Sequence, residues 1–236
     1  MTTSSAAATT DRTTRRKKGD CISVYVVDDH PIVCRGLVEL INQQPDLTVC
    51  GQADSAEAAL TSVADLNPGV NLADLTLKGM SGLDLVKSQK ARRDEFPVLV
   101  LSMHDERLWA ERAIRAGAKG YVMKTEETDK LLEALRAVAQ GRTYVSECVR
   151  DRIVEGVLDG SRTASESPLS RLSDRELEVF LMIGQGMRTR DIAERLHLAV
   201  KTVEAYRANI KEKLGLGNYM DLIKAAVIHM ENGAEG

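Results

Sequence analysis

Five short apolar runs alternate with segments of helical periodicity between residue 21 and about residue 143. The runs span residues 22–27, 47–53, 70–75, 97–102 and 119–122. Apolar runs of this length, bounded by turn-forming residues, predict buried strands, and their continuous apolarity favours parallel pairing. Helices are predicted from Pro31 onward and at 55–66, 82–92, 105–116 and 126–140. Five consecutive βα units predict an α/β fold, a doubly wound five-stranded parallel sheet with helices on both faces.

Individual residues mark where these helices begin. Pro31 is favourable at the first turn of a helix, because the N–H group that proline lacks would have no partner there. Ser55 is predicted to cap the second helix through its side chain. The first helix has one apolar face, formed by Val33, Leu37, Leu40 and Ile41.

From Ser173 onward the pattern is helical throughout. Ser173 and Glu176 have the spacing of a capping box, in which each side chain bonds the backbone of the other residue. Thr189 and Asn218 are predicted to cap later helices. The predicted helices cover residues 173 to about 185, 190–197, 200–214 and a segment after residue 218. Four short helices, with a small-residue turn between the second and third, predict an all-α helix-turn-helix module.

The pattern divides the chain into four parts. Residues 1–20 carry five basic and two acidic groups and are predicted to form a disordered basic tail, or an electrostatic arm for DNA. Residues 21–143 form the α/β domain. Residues 144–167 connect the domains through a helix capped by Ser146 and a polar linker rich in turn-forming residues. Residues 168–232 form the helical domain.

Composition excludes several classes of protein. The net charge is −3, and residues 168–236 balance ten basic against ten acidic groups, so DNA binding there requires charges sorted onto faces. Aromatic residues make up 3%, which argues against a base-stacking platform. No apolar run has the roughly 18 residues that crossing a membrane needs, and no secretion signal is predicted, so a cytoplasmic location is expected. The four cysteines lack metal-binding spacing, which predicts reduced thiols.

Polar residues follow the predicted strands where an open α/β sheet places its functional crevice. Asp28 and Asp29 follow the first strand, and Asp74 follows the third. Carboxylates brought together repel one another unless a cation holds them, which predicts a Mg²⁺ site. We expect Asp29, Asp74 and the backbone carbonyl of Thr76 to hold the ion, and Asp28 to hold it through water.

The same sheet edge has the groups needed for phosphoryl transfer. Asp74 is predicted to be the nucleophile that accepts the phosphoryl group, as carboxylates can. Ser102 follows the fourth strand and would hydrogen-bond one phosphoryl oxygen, while Lys124 follows the fifth and would pair with another.

The helix at 200–214 has two dissimilar faces. Val203, Tyr206, Ile210 and Leu214 form a buried stripe. Its opposite, largely cationic face has two alanines that allow close approach to a DNA major groove. That face comprises Lys201, Glu204, Ala205, Arg207, Ala208 and Lys211. Phosphate contacts, which position without specifying sequence, are predicted for Thr189, Thr202 and Lys213. The alternative to a DNA-binding face is a solvent-exposed helix face whose charges form salt bridges with one another.

Residues 26–31, 74–82, 101–105 and 116–124 resemble the motifs of the receiver domain of bacterial two-component response regulators, which has a flavodoxin-like fold. The resemblance implies that a sensor histidine kinase phosphorylates Asp74. It also implies that Tyr121 is a switch residue, which turns inward when Ser102 moves toward the phosphoryl group.

Residues 172–179, 191–196 and 201–210 resemble the LuxR-type helix-turn-helix. With the receiver motifs, residues 22 to about 230 resemble a NarL/FixJ-type response regulator. The resemblance implies a transcription regulator that binds double-stranded DNA, forms a homodimer when active and is not an enzyme. An aspartyl-nucleophile hydrolase would want a second acid two residues after Asp74, where Thr76 stands. A regulator that senses a small molecule would need an apolar pocket, which the sequence does not predict.

Four residues depart from the family pattern, among them Tyr206, which stands where histidine is common. Lys78 stands where proline is usual. It would either ease phosphoryl capture or, by pairing permanently with Asp74, make the receiver a phosphorylation-independent dimerisation module. Asn71 is polar within the third strand. Ala199 replaces a capping serine before the third helix of the C-terminal module, at a cost of about 1 kcal/mol.

Overall fold

The computed structural model describes residues 21–92, 96–158 and 168–233. The predicted basic tail and all of the polar linker except Pro168 lie outside these residues. Among the helices that the structure describes, none combines the length and the apolar character that a bilayer crossing requires.

The described residues of the N-terminal domain contain one five-stranded parallel sheet, in the order β2-β1-β3-β4-β5. Its strands are β1 (Ile22–Val27), β2 (Leu47–Ala53), β3 (Val70–Asp74), β4 (Val98–Ser102) and β5 (Gly120–Met123). Its helices are α1 (Pro31–Asn42), α2 (Ala56–Leu66), α3 (Gly82–Arg92), α4 (Glu106–Ala116) and α5 (Thr128–Ala139). The predicted doubly wound α/β fold is confirmed.

Successive residues of each strand point to opposite faces, so the sheet has two separate cores. In β1, Val24 and Val26 pack with α1 and α5, including Ile41 and Leu135. Tyr25 and Val27 pack toward α2, α3 and α4 on the other face. Both faces are therefore covered by helices, which explains why the strands are apolar throughout.

The C-terminal domain is helical, as predicted. A 3₁₀ turn at Pro168–Arg171 precedes α7 (Asp174–Gly184), α8 (Thr189–Arg195), α9 (Val200–Leu214) and α10 (Tyr219–Gly233). The helix of the connector is α6 (Glu147–Leu158). The Ser173–Glu176 capping box is confirmed. Asn218 also caps α10 as predicted, since its carboxamide oxygen accepts the N–H of Asp221 at 3.1 Å.

One predicted cap is wrong, and another lacks its side-chain bond. Thr189 is the first residue of α8 and Arg188 is its N-cap, because the Asp191 carboxylate accepts the Arg188 N–H at 3.4 Å. The Thr189 hydroxyl instead accepts a hydrogen bond from Arg207. Ser55 is the N-cap of α2 as predicted, but its side chain makes no capping bond, and its hydroxyl donates to Asp54 at 3.2 Å.

An interdomain clamp, formed by Lys87 of α3, Arg112 of α4 and Asp174 of α7, joins the two domains. The Asp174 carboxylate accepts hydrogen bonds from Lys87 at 2.7 Å and from Arg112 at 2.9 Å. Arg112 also donates to the backbone carbonyls of Leu169 and Leu172, both at 2.9 Å. Burial opposes ionisation of Asp174, but these two cations hold its pKa below the ordinary value. The clamp docks the first turn of α7 against the N-terminal domain.

Candidate phosphoryl-acceptor site and DNA-binding face

The predicted carboxylates meet at the carboxyl edge of the sheet. Val27 of β1 pairs with Ala73 of β3, so Asp28, which follows β1, lies beside Asp74, the last residue of β3. Both side chains are buried, with Asp74 only 5% exposed. Asp28, Asp29, His30 and Asp74 each present a ligand atom, and these atoms all lie within 4.8 Å of one another.

Lys124 enters this cluster from the end of β5. Its Nζ lies 2.7 Å from Oδ2 of Asp28 and 2.7 Å from Oδ2 of Asp74. Burial alone would lower the pKa of Lys124, but the two carboxylates raise it above its ordinary value. Burial raises the pKa of Asp74, and the charge of Lys124 opposes that rise. The lysine therefore stays charged and neutralises part of the acidic cluster.

The cluster has the donor atoms that Mg²⁺ prefers, which are carboxylate oxygens. Oδ1 of Asp29 is buried, accepts no hydrogen bond among the described residues and lies 2.9 Å from Nδ1 of His30, so a cation could use it as a ligand. The backbone N–H of Thr76 approaches Oδ1 of Asp74 at 3.3 Å, which places the residue predicted to supply a carbonyl ligand beside the cluster. These residues fit a divalent cation.

Ser102 and Tyr121 lie on neighbouring strands and meet at His104. Ser102 is fully buried, and its hydroxyl oxygen accepts the backbone N–H of His104 at 3.0 Å. Tyr121 is also buried and donates its hydroxyl to the carbonyl of His104 at 2.8 Å. Burial raises the pKa of Tyr121, and a hydrogen bond with Ser102 opposes that rise. In this arrangement Tyr121 already faces inward.

His104 and His30 are the side chains that sequence reasoning did not single out. Nε2 of His104 lies 3.0 Å from the Thr76 hydroxyl, and burial lowers the pKa of this histidine to about 4. Leu101 pairs with Asp74, which brings the loops after the two strands together. Thr76 lies two residues after Asp74, and His104 lies two residues after Ser102. These equal spacings could have indicated from the sequence that the two side chains meet.

Lys78 does not pair with Asp74. The Lys78 side chain is exposed and forms no ion pair within the described part of the chain. Lys124 occupies the position beside Asp74 instead. The expectation that Lys78 replaces a missing signal by binding Asp74 is therefore wrong for this structure, because the loop after β3 directs it toward solvent.

The two faces of α9 differ as their residue types predict. Val203 and Ile210 are buried, and Tyr206 and Leu214 are half-buried. On the other side Lys201, Glu204, Ala205 and Ala208 are exposed, while Thr202 and Lys211 are half-buried. The exposed backbone beside the two alanines leaves room for close approach to a groove.

Three predicted DNA contacts are engaged within the helical domain itself. The guanidinium carbon of Arg207 lies 3.5 Å from the centroid of the Tyr219 ring, and Arg207 donates to the Thr189 hydroxyl. Nζ of Lys213 lies 2.6 Å from Oε2 of Glu176, whose carboxylate belongs to the capping box of α7. DNA phosphates would compete with these internal partners.

Two family models match the chain. The response regulator receiver domain matches residues 24–136, and the luxR family of bacterial regulatory proteins matches residues 170–226.

Whole-chain relatives show the same arrangement. The nitrate/nitrite response regulator protein homolog of Haemophilus influenzae is 31% identical over 212 residues, covering 90% of this chain and 98% of that protein. Oxygen regulatory protein NreC of Staphylococcus aureus is 36% identical over 213 residues, covering 87% of this chain and 97% of that protein. RcsB from Salmonella enterica serovar Typhimurium, bound to promoter rprA with phosphomimetic BeF₃⁻, matches with a TM-score of 0.59 and 26% identity, over 86% and 97% of the two chains. The chain therefore belongs to the transcriptional response regulators that join a receiver domain to a LuxR-type DNA-binding domain.

Proposed function

We propose that a sensor histidine kinase switches this regulator by transferring a phosphoryl group to Asp74, and that the switched protein acts as a homodimer on double-stranded DNA in the cytoplasm. The observation that carries the proposal is the buried Asp74 carboxylate held between a lysine and a second carboxylate, at 2.7 Å from Lys124. A purely structural ion pair would not need a further carboxylate oxygen, Oδ1 of Asp29, buried beside it without a hydrogen bond from the described residues.

The transfer uses groups already in place. A carboxylate oxygen of Asp74 attacks the phosphorus, the bond from phosphorus to the kinase histidine breaks, and its electron pair stays on that histidine nitrogen. Lys124 pairs with one phosphoryl oxygen and so exchanges part of its bond to Asp74 for one to the new anion. Asp29, Asp74 and the carbonyl of Thr76 would hold Mg²⁺, with Asp28 acting through water. When bound, that ion neutralises charge developing on the phosphoryl oxygens.

Ser102 and Tyr121 would couple phosphorylation of Asp74 to the interdomain clamp. The Ser102 hydroxyl oxygen accepts a bond from His104, so its own proton remains available to a phosphoryl oxygen. Turning that proton toward a phosphoryl oxygen on Asp74 would draw Ser102 and the bonded His104 backbone toward that residue, and Tyr121 donates to the carbonyl of the same His104. Tyr121 lies on β5 beside α4, and α4 supplies Arg112 of the interdomain clamp. The change would then release the DNA-binding domain or allow two copies to dimerise.

The α9 face would bind the major groove. RcsB was determined on promoter DNA, and this chain matches it over both domains. Lys201, Arg207 and Lys211 supply positive charge, while Ala205 and Ala208 allow close approach and contact with thymine methyl groups. Glu204 would accept from a cytosine amino group. Thr189, Thr202 and Lys213 would bind phosphates, and a dimer would contact two half-sites about one helical turn apart.

The test is phosphorylation of the intact protein. We expect acetyl phosphate and Mg²⁺ to add one phosphoryl group to the natural chain, measured by intact mass, and to add none to Asp74→Asn. DNA affinity, measured in both states, should be higher after phosphorylation. A folded sample that binds DNA yet gains no phosphoryl group would refute the proposal and leave the phosphorylation-independent dimer as the alternative.

A further inference from the structure

Arg207 of α9 is held by side chains from two neighbouring helices. Its guanidinium carbon lies 3.5 Å from the centroid of the ring of Tyr219, the first residue of α10. Its Nη1 donates to the hydroxyl of Thr189, the first residue of α8. All three side chains are half-buried. The guanidinium is therefore fixed between three helices and does not extend freely into solvent.

Neither partner neutralises the charge of Arg207. Among the described residues, no carboxylate lies within ion-pair distance of its guanidinium. Two other cations of the helical domain do have such a partner. Nη1 of Arg175 lies 2.7 Å from Oε2 of Glu178, and Nζ of Lys213 lies 2.6 Å from Oε2 of Glu176. Because partial burial of an unpaired cation costs free energy, an anion that reaches Arg207 would be bound favourably.

The two contacts leave hydrogen-bond donors available for such an anion. A guanidinium has five N–H donors in one plane, and stacking on a ring occupies its face but not the edge of that plane. The Thr189 hydroxyl accepts from Arg207, so its own proton can be donated to a further acceptor. An anion with several oxygens, such as a phosphate, could accept hydrogen bonds from both side chains.

Arg207 lies at the edge of the outer face of α9. Residues three and four apart are neighbours on a helix, so Arg207 lies between Glu204 and Lys211. Ala208, the next residue along the chain, is exposed on that face. When α9 enters a major groove, side chains at the edge of this face lie next to the phosphates that border the groove.

We propose that Tyr219 is a positioning residue for DNA binding, because its ring holds Arg207 where Arg207 and Thr189 together bind one backbone phosphate beside the groove. The inference rests on the proposed DNA binding of this regulator and adds a residue of α10 to it. An arginine that is already held in place loses little conformational freedom when it binds. The contact contributes affinity and orientation but no preference for a base sequence, since it is made to a phosphate.

The test measures how the DNA affinity of the full chain depends on salt. The probe is a fluorescently labelled duplex of random sequence and about 30 base pairs, because a phosphate contact does not depend on sequence. We expect Arg207→Gln to reduce the slope of log affinity against log salt concentration by about 0.9, the value for one phosphate contact. Tyr219→Leu should weaken binding about two- to fivefold, as loss of a partly exposed cation–π contact would, and should also reduce the slope. A loss of stability alone would leave the slope unchanged.

Two comparisons separate the ring of Tyr219 from general effects on the domain. Tyr219→Phe keeps the ring and should retain the natural affinity. Combining Tyr219→Leu with Arg207→Gln should add little to the effect of Arg207→Gln alone. The matched control is Tyr219→Leu combined with Lys201→Gln, at the other end of α9, where the two effects should add.

The assay is run with and without acetyl phosphate, so that modification of Asp74 is scored separately from the DNA contact. An unchanged slope in Arg207→Gln or in Tyr219→Leu would overturn the inference, as would additive effects of these two changes. If the natural chain and Tyr219→Leu bind the duplex equally, the inference fails and the proposed function stands. If the natural chain binds no duplex in either state, the proposed DNA binding fails and the inference fails with it.

Discussion

Asn71 is a polar residue inside β3 and is buried against Gln89 of α3. Nδ2 of Asn71 approaches Oε1 of Gln89 at 3.4 Å, and both side chains are buried. The remaining amide atoms, Oδ1 of Asn71 and Nε2 of Gln89, have no hydrogen-bond partner among the described residues. A buried side-chain amide destabilises the fold less when more of its polar atoms are hydrogen-bonded. The two residues are therefore an interdependent pair.

We expect Asn71→Val alone to lower the free energy of unfolding by about 1–3 kcal/mol, because it leaves the Gln89 amide buried without a partner. Asn71→Val combined with Gln89→Met removes both polar groups and should be close to the natural protein or more stable. Urea unfolding of the natural protein, the Asn71→Val and Gln89→Met single variants and the double variant measures this. If the double variant is destabilised by the sum of the two single changes, the residues do not act as a pair.

At the scale of elements, the start of α3 is packed against the end of β3. The Gly82 N–H donates to the carbonyl of Leu75 at 2.8 Å. A Cβ on Gly82 would lie 2.0 Å from the carbonyl oxygen of Asp74, a backbone atom that cannot move away cheaply. The glycine thus lets the helix begin directly beside Asp74. This close approach explains the residue type without any role in chemistry.

Gly82→Ala should cost on the order of 3 kcal/mol of stability and should also slow phosphorylation of Asp74, because the clash displaces its backbone. Gly36→Ala is the matched control, since no atom lies within 4 Å of a Cβ at that position in α1. There the change should stabilise the protein by up to about 1 kcal/mol. Thermal unfolding and intact mass after acetyl phosphate treatment provide both readouts. Similar behaviour of the two variants would argue against the packing explanation.

At the scale of the whole molecule, the clamp connects the receiver to α7 and leaves the outer face of α9 uncovered. Lys87, Arg112 and Asp174 make the contact, and Arg175 donates to the carbonyl of Gly79 in the loop after β3. The exposed α9 residues Lys201, Glu204, Ala205 and Ala208 make none of these contacts. The clamp therefore sets the direction in which α9 faces relative to the receiver while its outer residues remain exposed.

Arg112→Gln should weaken docking by on the order of 2 kcal/mol, because it removes a charged donor from Asp174 and from two carbonyls. Small-angle X-ray scattering should then give a larger radius of gyration, with the helix content unchanged. Arg115→Gln is the control on the same helix, since Arg115 is 79% exposed and bonds Glu111. An unchanged radius of gyration for Arg112→Gln would show that other contacts hold the domains together.

Much of the receiver site was predictable from residue order. Strand ends follow from apolar runs, and parallel strands place those ends at one edge, so Asp28, Asp74 and Lys124 could be grouped before any distance was known. The buried stripe of α9 follows from helical periodicity in the same way. Asn218 was recognisable as a cap because its side chain bonds backbone only three residues away.

Other features depend on which segments become neighbours in space. The Thr189 hydroxyl, expected to cap a helix, instead accepts a hydrogen bond from Arg207, 18 residues later in the chain. The cation that pairs with Asp74 is Lys124, 50 residues after Asp74, and not Lys78. The clamp joins residues separated by 62 positions or more. The sequence by itself determined the elements, the domain order and the sheet edge, because periodicity and strand ends are local. Tertiary structure alone decided which charge pairs with which carboxylate, because a Coulomb interaction depends on distances that only strand order and domain docking set.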